Sequence, residues 1–187
     1  HTWDKSFKWK PPKFNTIDFL ITFSKTDRGD DVIKTVYKDS TGGTVTSKRY
    51  KEVRLLCGFN QGHKDHGYMN PCELVMQNKI PSHNDTGSYE PMPFYPTQPY
   101  DANASICNIL INKDTNGIDQ LFTTEGDTIE NNTIVEFAYD NLRDPLWKWV
   151  PLRVRYDKTY QFKVGMKNYG NAYHVANSNW QSIHNPI

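Results

Sequence analysis

Two short cationic stretches stand near opposite ends of the chain: Lys8-Trp9-Lys10, and the run Trp149-Val150-Pro151-Leu152-Arg153-Val154-Arg155-Tyr156-Asp157-Lys158. In each, charged and apolar residues alternate with period two, as in an extended segment whose residues i and i+2 share a face. Read as strands, Lys8 and Lys10 point one way and Trp9 the other. Arg153, Arg155 and Asp157 then share a face, with Leu152 and Val154 turned toward the core. Cations held in pairs on strands suit a polyanion such as a nucleoside triphosphate. Guanidinium forks and ammonium groups both neutralise phosphate oxygens.

The elements that must hold these groups read as short strands. Pro11-Pro12 ends the first, because proline gives a ladder no N–H. Ile17–Phe23, Val32–Tyr37, Val53–Phe59, Ile106–Ile111, Leu121-Phe122, Thr133–Tyr139 and Trp147–Arg155 follow, rich in β-branched and aromatic residues. Turn signals separate them at 27–31, at Gly42-Gly43 and at 114–117. From 62 to 100 the composition shifts to Pro, Asn, His, Asp and Gly, a loop-rich excursion with one short helical prospect at Cys72–Asn78. Many short strands between turns predict a small all-β barrel. After Lys158 the chain turns Asn-rich and reads as a linker, with a docking helix expected within Asn168–Trp180.

Composition narrows the partners. The net charge of +1 supplies no global field toward nucleic acid, so polyanion binding must come from local clusters. Three cysteines, Cys57, Cys72 and Cys107, with no leader and no apolar run of spanning length, predict a soluble, intracellular protein with reduced thiols. The Asn-x-Ser/Thr triplets at Asn84, Asn103 and Asn131 carry no meaning without a secretory route.

Taken in order, Lys8-Trp-Lys-Pro-Pro followed by Asn15-Thr-Ile-Asp-Phe19, and then Trp149-x-x-Leu-Arg-x-Arg-x-Asp-Lys158, resemble motifs V and VI of the covalent nucleotidyltransferases. The extended first signature is similar to mRNA capping guanylyltransferases rather than to polynucleotide ligases. The whole chain, including Tyr169-Gly-Asn-Ala-Tyr-His-Val-Ala-Asn-Ser-Asn-Trp180, resembles the capping enzymes of large DNA viruses.

That resemblance implies an OB-fold, a five-stranded Greek-key barrel with a large insertion at about 62–100, plus one terminal strand of a nucleotidyltransferase domain. Residues 1–12 would be that last strand, 13–158 the OB lid, and 159–187 a linker toward a guanine-N7 methyltransferase domain. It implies GTP phosphate contacts by Lys8 and Lys10 at the α-phosphate, and by Arg153, Arg155, Asp157 and Lys158 further along. It also implies GTP and the 5′ end of RNA as substrates, a divalent metal (Mg or Mn) held mainly by an upstream domain, no membrane partner and a cytoplasmic location. The family's nucleophile is the lysine of a Lys-x-Asp-Gly tetrapeptide, which this chain lacks. Lys25-Thr-Asp27-Arg-Gly29 carries an extra residue and falls after motif V. No catalytic residue is therefore expected here, and the chain reads as an inactive piece of a multifunctional enzyme.

Further candidates are set against plainer readings. Cys57, His63, His66 and Cys72 form a permissible zinc set, but without the close Cys–Cys pair of common fingers. Packed thiols with loop histidines are the favoured reading. Trp147, Trp149, Tyr156 and Phe94 are candidates for stacking RNA bases, as OB barrels do, against the alternative that they fill the barrel. Two rival identities are a non-catalytic single-strand-binding OB module and the OB domain of an ATP-dependent polynucleotide ligase.

Overall fold

The long strand β3 (Val45–Asn60) organises the sheet. On one of its edges pair β1 (Ile17–Phe23) and then β2 (Ile33–Asp39); on the other pair β5 (Ile106–Lys113) and then β4 (Tyr89–Pro93), all antiparallel. The chain continues through β6 (Asp119–Phe122), β7 (Thr128–Ile129), β8 (Thr133–Tyr139) and β9 (Trp149–Val154). Helices α1 (Tyr156–Lys163) and α2 (Tyr173–His184) close it. The computed structural model describes residues 15–39, 42–43, 45–60 and 88–185.

The main path through the sheet runs β7-β6-β5-β3-β1-β8-β9. β8 comes back across the chain to lie beside β1, the kind of return a Greek key requires. The ends of the path then meet. Thr124 and Glu125, in the β6–β7 turn, donate their N–H groups to the carbonyls of Pro151 and Leu152 in β9, at 2.9 and 3.3 Å. Asp127 accepts the Val154 N–H at 3.0 Å. The result is a mainly β, nearly closed, OB-fold-like barrel. Among the described residues the sheet has nine strands rather than five, with β2 and β4 paired to β3 off the closing path.

The interior is aromatic. Phe19 lies 5.0 Å from Phe94 and 5.1 Å from Trp149, ring centre to ring centre. Tilted and edge-on arrangements of this kind are the favoured geometry for such rings. β1 is buried on both faces. Ile17, Phe19 and Ile21 enter this core, while Leu20 pairs with Ile134 on the outer face near α1. Thr159 of α1 supplies the hydroxyl that accepts the Ile134 N–H at 3.0 Å.

One expectation changes here. The strand predicted through Arg155 and Asp157 ends at Val154, and a helix begins at Tyr156. Within the segment read as a linker with a docking helix, the helix α2 seals one end of the barrel. Trp180 is fully buried, with its ring centre 4.9 Å from Tyr139 and 5.9 Å from Trp149, and its indole N–H donates to Pro99 at 2.8 Å. Asn177 is buried beside it because Thr97 satisfies both ends of its amide. The excursion at 62–100 likewise rejoins the sheet as β4 and then docks on α2 through residues 95–99.

Candidate functional site

A buried acid explains how the second cationic stretch is held. Asp18 is the second residue of the mainly apolar strand β1, its side chain 7 % exposed. An ionised carboxylate in that position requires cationic partners. Arg155 and Lys158 provide them, both bonding the same oxygen: Arg155 Nη1 at 2.7 Å and Lys158 Nζ at 2.6 Å from Asp18 Oδ2. The two cationic heads therefore lie within roughly 5 Å of each other, each about a quarter exposed.

The backbone around Asp18 is fixed from the other side. Its N–H donates to Asn171 Oδ1 at 2.9 Å, and its carbonyl accepts the Asn171 N–H at 2.8 Å. Gly170 makes that approach possible. Its φ is +83°, and a Cβ there would stand 2.5 Å from the Asp18 carbonyl oxygen.

Chain direction then distributes the remaining groups. Arg155 is the cap residue of α1; its N–H bonds the Ile134 carbonyl at 2.8 Å, and its own carbonyl accepts the Thr159 N–H at 2.9 Å. Lys158, three residues on, falls one helical turn later and returns to Asp18. Asp157 lies 3.6 Å from Arg155 Nη2. The Lys158 backbone N–H, together with the Arg155 charge, holds the Asp157 carboxyl below the usual aspartate range. Arg153, still on β9, donates from Nε to Glu136 Oε1 at 2.5 Å, and the Thr16 hydroxyl donates to the other oxygen at 2.6 Å. Burial alone would raise the Glu136 carboxyl, but Thr16 and Arg153 outweigh it and the net shift is downward.

The expected group is thus assembled, with one difference in character. Arg153, Arg155 and Lys158 do lie together, but three carboxylates accompany them, and the cluster is formally neutral. Its cations are held in place rather than free. Asp157 acts on Arg155; as a carboxylate it has no attraction of its own for phosphate. Lys158 uses one of three ammonium donors on Asp18, and Arg155 keeps further N–H groups on its fork, so both retain donors for an anion. Lys8 and Lys10 lie outside the described residues.

Asp18, Glu136, Thr16 and Asn171 were given no role from sequence. The available signal was an aspartate inside an otherwise apolar strand, which needs a buried cation. As for metal, Asp18, Glu136 and Asp157 each face a cation, and no cluster of three or more His, Cys, Asp or Glu suited to a metal occurs among the described residues. These three carboxylates, each held by a cation, do not form a divalent-metal site. Cys57 is buried in the core, while His63, His66 and Cys72 lie outside the described residues. Burial pushes the Cys107 thiol up to about 12.

The aromatic candidates separate. Phe94 and Trp149 are core residues, closed to any base. Tyr156 is exposed, its hydroxyl donating to Asp127 at 3.1 Å. Trp147 lines a groove on the outer face of the sheet. No helix among the described residues is long and apolar enough to cross a membrane.

No family model matches the sequence, and no solved structure matches it significantly. Among curated proteins, the chain is 33% identical over 184 residues to a "Probable mRNA-capping enzyme" of Acanthamoeba polyphaga mimivirus, a large DNA virus. The match takes in 97% of this chain and 13% of that relative, so the chain spans a small segment of the protein it resembles.

Proposed function

Because the chain corresponds to a segment of a large-DNA-virus capping enzyme, we propose that it is the OB-fold lid of an mRNA guanylyltransferase. The observation that carries this reading is the Asp18 clamp. Asp18 belongs to the first signature, Arg155 and Lys158 to the second, and they meet at 2.6–2.7 Å across some 140 residues of sequence. A shared carboxylate orients two cations toward one place, as a phosphate clamp requires.

In this reading the complete protein moves GMP from GTP to the 5′-diphosphate end of RNA. A lysine of an upstream nucleotidyltransferase domain attacks the α-phosphorus. A P–N bond forms, the bond to the bridging oxygen of the β-phosphate breaks, and pyrophosphate leaves with the electron pair. An oxygen of the RNA diphosphate then displaces the lysine. Lys8 and Lys10 face the α-phosphate; Arg155 and Lys158, with Arg153 beside them, face the departing pyrophosphate and stabilise its growing charge. Lid closure excludes water and reopening releases product. The divalent metal belongs to the upstream domain, a guanine-N7 methyltransferase domain follows, and the setting is the cytoplasm.

The test is Arg155→Ala and Lys158→Ala in the complete protein, following labelled GMP from GTP into the protein adduct and onto RNA. Loss of a transition-state charge contact of this type slows the adduct step on the order of 100-fold. Undiminished adduct formation in both variants would remove the phosphate role and leave a purely structural ion-pair network.

A further inference from the structure

The first half of β3 and its partner β2 form a two-stranded ribbon whose exposed faces differ in charge. Directly paired residues share a face, so Lys34 with Tyr50, and Val36 with Lys48, lie on one side, and Leu110 joins them through its pairing with Tyr50. On the opposite side the cations are neutralised: Arg49 by Asp119, and Lys51 by Asp31. Lys34 and Lys48 are exposed and have no ion-pair partner among the described residues.

Beside these two lysines a groove of about 410 Å³ opens on the same face, lined by Val36, Leu110, Leu142, Arg143, Asp144 and Trp147. Trp147 is half-buried, and Tyr50 buttresses its ring edge-on at 4.9 Å. Leu142 stands 94 % exposed at the rim, and Arg143 is paired with Asp140 at 3.3 Å. An indole braced against a second ring, in a groove lined mainly by apolar side chains with Asp144 its one acid, and flanked by two ammonium groups unpaired among the described residues, offers what a single strand needs. A base stacks on the ring while its phosphates meet the cations.

We propose that this outer face, centred on Trp147 and Tyr50 with Lys34 and Lys48, binds single-stranded RNA. That the strand is RNA rests on the capping reading; that the surface takes a single-stranded polyanion rests on the groove itself. The outer-face site is separate from the nucleotide cluster, so the two can be tested apart.

In the complete protein, Trp147→Ala and the double variant Lys34→Ala/Lys48→Ala are titrated with a short fluorescent single-stranded RNA over a range of salt. Adduct formation from GTP alone is measured in parallel. Trp147→Ala weakens RNA binding on the order of ten-fold. The lysine variant lowers the slope of log Kd against log salt by about 1.4, the value for two phosphate contacts on a single strand. Both keep adduct formation within about two-fold of the parent, since that step needs no RNA. Unchanged affinity and unchanged salt slope in the lysine variant, whose exposed positions leave folding intact, overturn the proposal, as does a partner protein that seats on this face while RNA binding is unaffected. Absence of any adduct in the parent, with the RNA effects present, refutes the guanylyltransferase reading instead.

Discussion

Replacing Asp18 by Asn keeps the side chain's shape and removes its charge. Arg155 and Lys158 then face each other within about 5 Å with no carboxylate between them. Removing one partner of a buried ion pair typically costs about 3–5 kcal/mol. Both cations keep roughly a quarter of their surface in water, so solvent screening reduces the expected loss to about 2–4 kcal/mol. In a domain of this size about 1 kcal/mol lowers Tm by about 2–4 °C, which places the expected drop at roughly 5–15 °C. Urea denaturation of the parent, Asp18→Asn, Arg155→Gln and the double variant measures the loss and the coupling between the two positions. The double variant should recover at least about 1 kcal/mol relative to the sum of the singles, because it removes both ends of one contact. The functional arm runs in the opposite sense to net charge. The site gains a positive charge, yet adduct formation in the complete protein slows, because two unclamped cations lose their common aim. Stability within about 0.5 kcal/mol of the parent would refute the clamp, since that is the range of ordinary surface substitutions. A normal Tm with faster adduct formation would refute positioning in favour of simple charge attraction.

Three further outcomes follow from the packing and the titrating groups. Trp180→Ala, which empties the end of the barrel, should cost about 3–5 kcal/mol by denaturant unfolding and expose the aromatic core to fluorescence quenchers. Glu136 and Asp31 both titrate below their ordinary range, Asp31 chiefly through Lys25. Their stabilising contribution is complete above the unfolded carboxylate pKa and is lost as pH falls through the lower folded values; Glu136→Gln should therefore flatten the acid limb of the stability–pH curve and leave neutral pH little changed. Cys57 and Cys107 are both buried, and the Cys107 thiol is raised to about 12. Peptide mapping after alkylation at mildly alkaline pH should find both unmodified until denaturant is added, and rapid native labelling of Cys107 would contradict its burial.

Strand positions were legible where β-branched and aromatic residues cluster between turn signals. Ile17–Phe23 and Thr133–Tyr139 fall where the pattern of residues puts them. The alternation misled at Arg153-x-Arg155-x-Asp157, since a repeat of charges on a surface reads the same across a strand end. The helix beyond it is revealed only by the Thr159 and Arg155 contacts to Ile134. In α2 the buried set Tyr173, Ala176, Asn177 and Trp180 has helical spacing. A docking helix is the sequence expectation there, but its seat on the barrel was not legible, because the buried Asn177 counts as polar until Thr97 is seen satisfying it. β4 escaped for a related reason: Pro91 and Pro93 argue against a strand, and an edge position beside β3 is where proline is tolerated.

The order and chemistry of the residues were enough to mark the two cationic signatures, the β character and the likeness to capping enzymes, because these depend on local periodicity and on residue type. The meeting of Asp18 with Arg155 and Lys158, the neutral balance of the cluster and the half-exposed position of Trp147 beside Lys34 and Lys48 were decided by the tertiary structure. Each depends on which distant strands become neighbours and how much water remains between them, quantities that no local pattern encodes.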